Sequence, residues 1–519
     1  MSEREGSQRD DTDVLTNVAD LVRRAARRDR EHAALLQGSS QLTWGELDTS
    51  ADRAAAALAG LDLAPGDRVA IQLGNTLDFP TVYFGALRAG LVAVPTNTGY
   101  TEPELAYLLA DSGATALVTS SVAAMEAVER LRAAAPELAH VVVAAPSGPE
   151  GTVPLPALLE AAPAEPWQPA TGGEDLAALI YTSGTSGRPR AAMLTHRALL
   201  ANLDQCAEIT PRVVVPDDVM LLVLPLFHVY GLNPGLGMAA WAGASAVLVD
   251  RFDPAETLAL MSRHRVTNVP GAPAMYLAWA DQPAVAEGFA SVRLALSGAA
   301  PLPVETLARF ADLGVQIFEG YGLTETAPVL TSTLIGGAAK PGSVGRPIPG
   351  VELVLRDEDG EDVDEDDPGE IVVRGANLFS GYWPDGRDGP DEDGWFGTDD
   401  VAYADDDGDL HLVDRRKELI LVSGFNVYPA EVEAVLGQHP AVAEVAVIGV
   451  RDKYSGEAVK AYAVLRPDKS VSAVDLLAWA AGSLARFKLP TAVEFVESLP
   501  HSATGKVSKA QLRQAAATG

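Results

Sequence analysis

The sequence predicts an α/β protein: a large N-terminal domain of doubly wound parallel sheets plus an antiparallel β subdomain, with a small mobile α+β C-terminal domain. Three observations lead there. Short Val/Ile/Leu runs alternate with Ala/Leu/Arg-rich helical stretches through about Leu296, as in parallel sheets covered by helices. After about Pro341 the pattern changes to short alternating strands separated by Asp/Gly turns, which suits an antiparallel subdomain. A chain of 519 residues also exceeds what one core ordinarily serves.

The elements follow in order. Residues 67–73, 91–95 and 116–119 read as buried strands, with helical patterns at 49–59 and 103–111 between them. The apolar run 176–180 leads directly into a loop of small residues, and strands continue at 244–249, 266–269 and 292–296. Residues 219–249 contain no Asp, Glu, Lys or Arg, but Pro225, His228, Asn233, Pro234 and several glycines interrupt them. A membrane helix needs about 20 apolar residues in a row, so a strand, a loop and a core helix are expected instead. Residues 351–355 and 370–374 supply the antiparallel strands. The last unit reads as strand 419–422, helix 429–438, strands 442–450 and 459–465, and helix 474–485. We therefore expect an N-terminal domain over 1–414 and a C-terminal domain over 415–519, with the polar Asp414-Arg415-Arg416-Lys417 as the hinge.

Composition narrows the function classes. The chain is 47% hydrophobic and 21% charged, a globular profile. Its 39 basic and 71 acidic residues give a net charge of −32, which argues against nucleic acid and anionic membranes as partners. Much of the acid lies in residues 357–367 and 385–409, expected to be solvated turns. Cys206 is the single cysteine, reads as a small core residue on a helix, and suits a cytoplasmic protein. The polar N-terminus, MSEREGSQRDDTD, lacks the apolar stretch of a secretory signal and is expected to be disordered.

The chemistry begins at residues 181–190, YTSGTSGRPR. Thr182, Ser183, Gly184, Thr185, Ser186 and Gly187 are small or hydroxylated residues directly after a buried strand. Such a loop lets backbone approach an anion and offers neutral donors, with Arg188 and Arg190 adding positive charge at the rim. It is a candidate phosphate loop, though not a Walker A loop, because no Lys-Ser or Lys-Thr pair follows Gly187.

Five further segments accompany it: SGAAPL from Ser297, EGYGLTET from Glu319, GWFGTDD from Gly394, DRRKELI from Asp414 with VSGFNVYP from Val422, and PHSATGK from Pro500. In this order and spacing the chain resembles the adenylate-forming synthetases, which include the acyl-CoA ligases, from about Val18 onward. The resemblance implies an enzyme in which a carboxylate attacks the α-phosphorus of ATP, giving an acyl-adenylate and pyrophosphate. The thiol of CoA then displaces AMP. ATP, Mg²⁺ and CoA are the implied cofactors, and a small carboxylic acid the substrate.

It also implies roles for residues. Glu325 would hold Mg²⁺ and Thr324 would donate to the α-phosphate. Tyr321 would cover the adenine, with Gly298, Ala299, Gly320 and Gly322 allowing close backbone approach. Asp400 and Arg415 would bind the ribose. Lys506 would neutralise charge between substrate carboxylate and α-phosphate. Lys417 would be the hinge about which the Gly424 loop rotates toward pantetheine. Pro225-Leu-Phe-His228 resembles the segment whose His sits beside the substrate carboxyl. Gly235, Gly237, Ala239 and Ala240 would leave room for an apolar tail, and residues 271–275 would form another wall. Arg451, Lys453, Arg486 and Lys488 would meet the phosphates of CoA.

Four positions depart from the pattern: Arg190-Ala191 stands for Lys-Gly, Gly397 for Arg or His, and Asp399 for Gly. The VSGFNVYP and Ser455–Lys460 segments look like medium- or long-chain fatty acyl-CoA ligases. No Asp occurs at residues 227–240, where amino-acid activators place one. An aryl- or cinnamate-type CoA ligase shares every motif. A fatty acyl-AMP ligase loading a carrier protein, or a non-catalytic nucleotide-binding protein, are the further alternatives.

Overall fold

A computed structural model describes the chain except for residues 1–14, 170, 183–188, 358, 364–366, 416–417, 419, 423–424, 428, 453–455, 482, 485, 502–506 and 519. The expected N-terminal disorder therefore falls outside the described residues. Two large sheets carry the bulk of it. The first has seven strands in the order Val153–Pro154, His140–Val143, Ala114–Thr119, Arg68–Gln72, Val92–Pro95, Leu176–Thr182 and Arg190–Thr195. All its pairings are parallel except the last, an antiparallel pair between Leu176–Thr182 and Arg190–Thr195. Helix Trp44–Ala59 begins at a capping box: Thr43 N–H donates to Glu46 Oε2 at 2.8 Å and Glu46 N–H to Thr43 Oγ1 at 3.2 Å.

The second sheet has nine strands in the order Arg346–Pro347, Val329–Ser332, Ile317–Gly322, Leu294–Ser297, Asn268–Gly271, Val219–Leu222, Ser245–Leu248, Ala33–Gln37 and Ser40–Thr43. Its centre is parallel and both margins are antiparallel. The strand expected at 266–269 begins at Asn268 instead, because the Thr267 hydroxyl accepts from Val219 N–H (3.0 Å) and donates to Asp218 (2.7 Å). An edge-to-face cluster of Tyr276, Trp279, Phe289 and Phe310 fills one side of the sheet.

Residues 219–249 form the expected strand, loop and buried helix. The helix starts as a π-helical stretch, Gly231–Gly237, and continues as Met238–Ala242. The reading of its small residues is corrected here. A Cβ on Gly235 would lie 3.2 Å from Leu222 Cδ2, and one on Gly237 3.2 Å from Leu203 Cδ2. Ala239 and Ala240 are buried in the core. Beside Gly235 and Gly237 the space a side chain would take is filled by Leu222 and Leu203, so these glycines permit close helix packing. In the segment 271–275, Gly271 packs against the protein's own core, where a Cβ would lie 2.9 Å from the Tyr276 ring, while Ala274 is exposed.

The antiparallel subdomain has the order Val351–Arg356, Gly369–Gly375, Phe396–Ala404 and Leu410–Arg415. Its acidic stretch is not uniformly solvated. Asp405, Asp407 and Asp409 converge on the Lys340 ammonium at 2.5, 2.9 and 3.3 Å, and Asp409 is buried against Arg346. A last sheet orders Phe425–Val427, Ile420–Val422, Gly456–Leu465 and Val442–Asp452, with Ala492–Phe495 parallel to Gly456–Leu465. Helices Pro429–Gly437 and Ala473–Ala480 cover it, the second ending five residues before the sequence suggests. Cys206 is buried, which pushes its thiol up to about 12 and makes it a packing residue. No helix among the described residues is long and apolar enough to cross a membrane.

Candidate active site

The site assembles where strand Ile317–Gly322 ends and turns through a single 3₁₀ turn, Thr324–Thr326, into the antiparallel strand Val329–Ser332. The reversal is tight. A Cβ on Gly322 would lie 1.8 Å from the Pro328 carbonyl oxygen, so only glycine fits. Three hydrogen bonds from two segments grip the turn. Asn377 Nδ2 donates to the Thr326 carbonyl (2.8 Å), Phe379 N–H to the Glu325 carbonyl (2.9 Å), and Asn233 Nδ2 to the Ala327 carbonyl (2.8 Å).

This fixes the backbone beneath Glu325, whose residue is only 8% exposed. The Tyr382 hydroxyl donates to Glu325 Oε1 at 2.5 Å. Burial, followed by the Glu325 charge, raises the Tyr382 phenol well above its ordinary range, so it remains a donor. Among the described residues no Lys or Arg forms an ion pair with Glu325. A buried carboxylate that no cationic side chain neutralises fits a hard divalent cation such as Mg²⁺.

Tyr321 lies on the same strand end. Its hydroxyl donates to Asp400 Oδ2 at 2.6 Å, joining the large sheet to the antiparallel subdomain. Asp400 is 8% exposed, and its N–H donates to the Thr398 hydroxyl at 3.2 Å. Directly opposite Asp400 in the ladder stands Arg415, so the two residues expected at the ribose are cross-strand neighbours. The departures nearby have one local cause. A Cβ on Gly397 would lie 2.7 Å from Glu370 Oε1, and that oxygen accepts Asp399 N–H at 3.1 Å. Glu370 occupies the space a larger residue at 397 would need. Asp399 itself sits at φ 60°, the left-handed conformation in which glycine is unstrained.

The third wall carries His228. Asn75 holds the loop before it, donating to the carbonyls of Leu222 (3.1 Å) and Leu224 (3.0 Å) and accepting from Leu226 N–H (2.9 Å). Burial lowers His228 to about 4, so the imidazole is neutral at ordinary pH. Tyr230 N–H donates to Nδ1 at 3.3 Å, which assigns the ring proton to Nε2. The Tyr230 ring lies against the SGAAP loop: a Cβ on Gly298 would be 3.0 Å from its Cε1. Gly298 thus makes room for an aromatic ring of the protein itself. Ala299 follows at φ 72°, a strained non-glycine conformation of the kind that collects at functional sites. A Cβ on Gly320 would lie 3.0 Å from the Thr331 carbonyl oxygen. Glu319, on the inner part of the strand, accepts Leu302 N–H at 3.0 Å, and burial pushes its carboxyl up to about 7.

At the hairpin, Thr182 pairs with Arg190, and the Tyr107 hydroxyl donates to the Pro189 carbonyl at 3.0 Å. The Arg190 guanidinium stacks 3.8 Å from the centre of the Tyr382 ring and donates to Asp388 at 2.6 Å. It is held by protein groups beside the phosphate loop. Ser183, Gly184, Thr185, Ser186, Gly187, Lys417, Gly424 and Lys506 lie outside the described residues, as does the Arg415 side chain. Of the cations suggested for CoA, Lys488 is paired with Glu431 at 2.7 Å, Arg451 and Arg486 are exposed, and Lys453 is not described. Tyr382, Asp388, Tyr230 and Asn75 escape the sequence reading. Gly381-Tyr382-Trp383 is a short aromatic signal in a loop, and nothing local links it to Glu325.

Residues 22–383 match the family model described as AMP-binding enzyme, and residues 431–506 match the AMP-binding enzyme C-terminal domain. The chain is 34% identical to a long-chain-fatty-acid–CoA ligase of Bacillus subtilis over 91% of its own length and 90% of that protein. It is 38% identical to a feruloyl-CoA synthase of an Amycolatopsis species, over 95% of this chain and 97% of that one. The ATP-bound crystal structure of MatB from Rhodopseudomonas palustris superposes with a TM-score of 0.89 at 34% identity, covering 96% of this chain and 99% of that one.

Proposed function

The chain belongs to the AMP-binding enzyme family, and we propose that within it the acid activated is a medium- or long-chain fatty acid. The family reaction is the adenylate-forming ligation of an acid to CoA, with ATP, Mg²⁺ and CoA as cofactors. The fatty-acid reading is supported by the Bacillus subtilis relative and by the lack of an Asp at residues 227–240. A second reading, an aryl acid, is favoured by one observation: the edge of the Tyr230 ring, two residues after His228, packs against Gly298. The feruloyl-CoA synthase relative agrees with it.

The observation that carries the assignment of roles is the Tyr321–Asp400 hydrogen bond beside the Glu325 turn. In this reading Tyr321 covers the adenine and Asp400, with Arg415, holds the ribose. Thr324 donates to the α-phosphate, while Thr182, the loop 183–187 and Arg190 surround the departing pyrophosphate. Gly298, Ala299, Gly320 and Gly322 let the nucleotide lie against backbone. Glu325 would hold Mg²⁺, which supplies charge neutralisation on the phosphates. Neutral His228 meets the acid's carboxyl as an Nε2–H donor, and this adds no second charge to the site. Lys506 stabilises the negative charge that shifts between carboxylate and α-phosphate. Residues 1–414 and 415–519 act as two domains, hinged at Lys417, that close for adenylation and turn to bring Gly424 to pantetheine. We place the enzyme in the cytoplasm.

The test is mass spectrometry of products after incubation with ATP, Mg²⁺, CoA and a mixture of fatty, aryl and dicarboxylic acids. Fatty acyl-CoA is expected, and aryl-CoA alone would select the second reading. Acyl-AMP that accumulates with CoA untouched would point to a carrier-protein acceptor. ATP bound but never cleaved, with every acid, would overturn the ligase reading.

A further inference from the structure

We propose that Tyr382 is a positioning residue for the metal-binding carboxylate, and that Arg190 serves it by holding the Tyr382 ring. This rests on the reading of Glu325 as the Mg²⁺ ligand. The Tyr382 hydroxyl donates to Oε1 of Glu325 at 2.5 Å, and among the described residues it is the side chain recorded as donating there. One carboxylate oxygen is therefore engaged by the protein and Oε2 is left for a cation. A carboxylate on a short turn otherwise rotates about its last torsion, which is broad for Glu. A single donor fixes that torsion and so the direction in which Oε2 points.

Tyr382 is in turn held by its backbone and on two sides of its ring. Its backbone N–H donates to the Arg387 carbonyl at 3.0 Å, and Phe379 packs edge-on at 5.1 Å between ring centres. The Arg190 guanidinium lies 3.8 Å over the ring and is itself tied to Asp388 at 2.6 Å. This gives Arg190 a reason to be arginine. A planar guanidinium can stack on the ring and fork to a carboxylate at once, which an ammonium cannot do. The chain Asp388–Arg190–Tyr382–Glu325 runs from an exposed loop residue to the buried carboxylate. Removing an outer partner of a metal ligand commonly weakens metal affinity about 10- to 100-fold.

The test compares ATP affinity with Mg²⁺ and without it, the latter in EDTA, for the intact protein without acid substrate, by calorimetry. The ratio of the two dissociation constants measures the contribution of the metal. Tyr382→Phe is expected to lower that ratio about tenfold while leaving metal-free ATP affinity at the wild-type value. Arg190→Met is expected to lower the ratio by a smaller factor in the same direction. Glu325→Gln tests the underlying reading separately: if the ratio survives there, Glu325 is not the ligand and the positioning role falls with it. A ratio lost in Glu325→Gln but unchanged in Tyr382→Phe would overturn the positioning role alone. A Tyr382→Phe protein that binds ATP equally poorly with and without Mg²⁺, or does not fold, would make Tyr382 structural and overturn it too.

Discussion

The Tyr321 hydroxyl donates a 2.6 Å hydrogen bond to Oδ2 of Asp400, across 79 residues of sequence and between two different sheets. It orients an aromatic face and a carboxylate with respect to each other before any ligand arrives. With Asp400 taken as the ribose acceptor, Asp400→Ala should raise the KM for ATP about tenfold or more, the scale for losing hydrogen bonds to a charged group. Tyr321→Phe, which keeps the ring and loses the donor, should raise it by about fivefold. Both are read from ATP–pyrophosphate exchange at saturating acid, and unchanged KM in both would remove the pair from the nucleotide site.

Lys506→Ala should slow adenylation by about 10²–10³, the scale for one preorganised charge-stabilising group. Single-turnover formation of acyl-AMP measures it directly. Thioester formation from supplied acyl-AMP should be spared, and an undiminished adenylation rate would refute the role.

Asp399 in its left-handed conformation predicts an asymmetric response to substitution. Asp399→Gly relieves the strain and should leave stability equal or higher by up to about 1 kcal/mol. Asp399→Val places a β-branched residue at positive φ and should cost about 1–2 kcal/mol. Urea unfolding of the two variants at pH 7 distinguishes them, and equal stabilities would contradict the assigned backbone strain.

His196 is fully buried, accepts Val18 N–H at Nδ1 (3.1 Å), and is lowered from 6.5 to about 4 mainly by burial. The unfolded chain binds this proton at a higher pH than the native one. Its contribution to stability is therefore complete above about pH 6.5 and is lost as pH falls toward 4, at about 1.4 kcal/mol per pH unit. His196→Gln keeps an acceptor and removes the titration. Unfolding free energies from pH 7 to 4.5 should fall less steeply in that variant, by about one proton, and parallel curves would show that His196 does not titrate in this way.

Periodicity and motif spacing made the architecture legible. Strand–helix alternation up to Leu296, the change to short strands after Pro341, and the last α+β unit all recur as sheets of the expected kind. These are local properties, set by which face of each element must be buried. The pairing of Glu319–Thr326 with Asp400 was readable too, because each motif carries its own residue types. What the neighbours do was not. Gly235 and Gly237 looked like open space and are filled by Leu222 and Leu203. The packing of the Tyr230 ring against Gly298 was not legible either. Residues 405–409 looked like solvent-facing acid and close around Lys340.

The sequence by itself determined the chemistry available: a Gly/Ser/Thr loop after a strand, and motifs carrying Glu325, Asp400 and Arg415. Only the tertiary structure decided how those groups are held. Asn75, Asn233, Asn377, Tyr382 and Asp388 act across 51 to 198 residues of chain. Such contacts leave no periodic trace, because a hydrogen bond between distant segments constrains two positions and nothing between them. The same holds for Arg190. Its charge beside a phosphate loop can be read along the chain, whereas its engagement by Tyr382 and Asp388 exists only once the hairpin and the 379–389 segment meet.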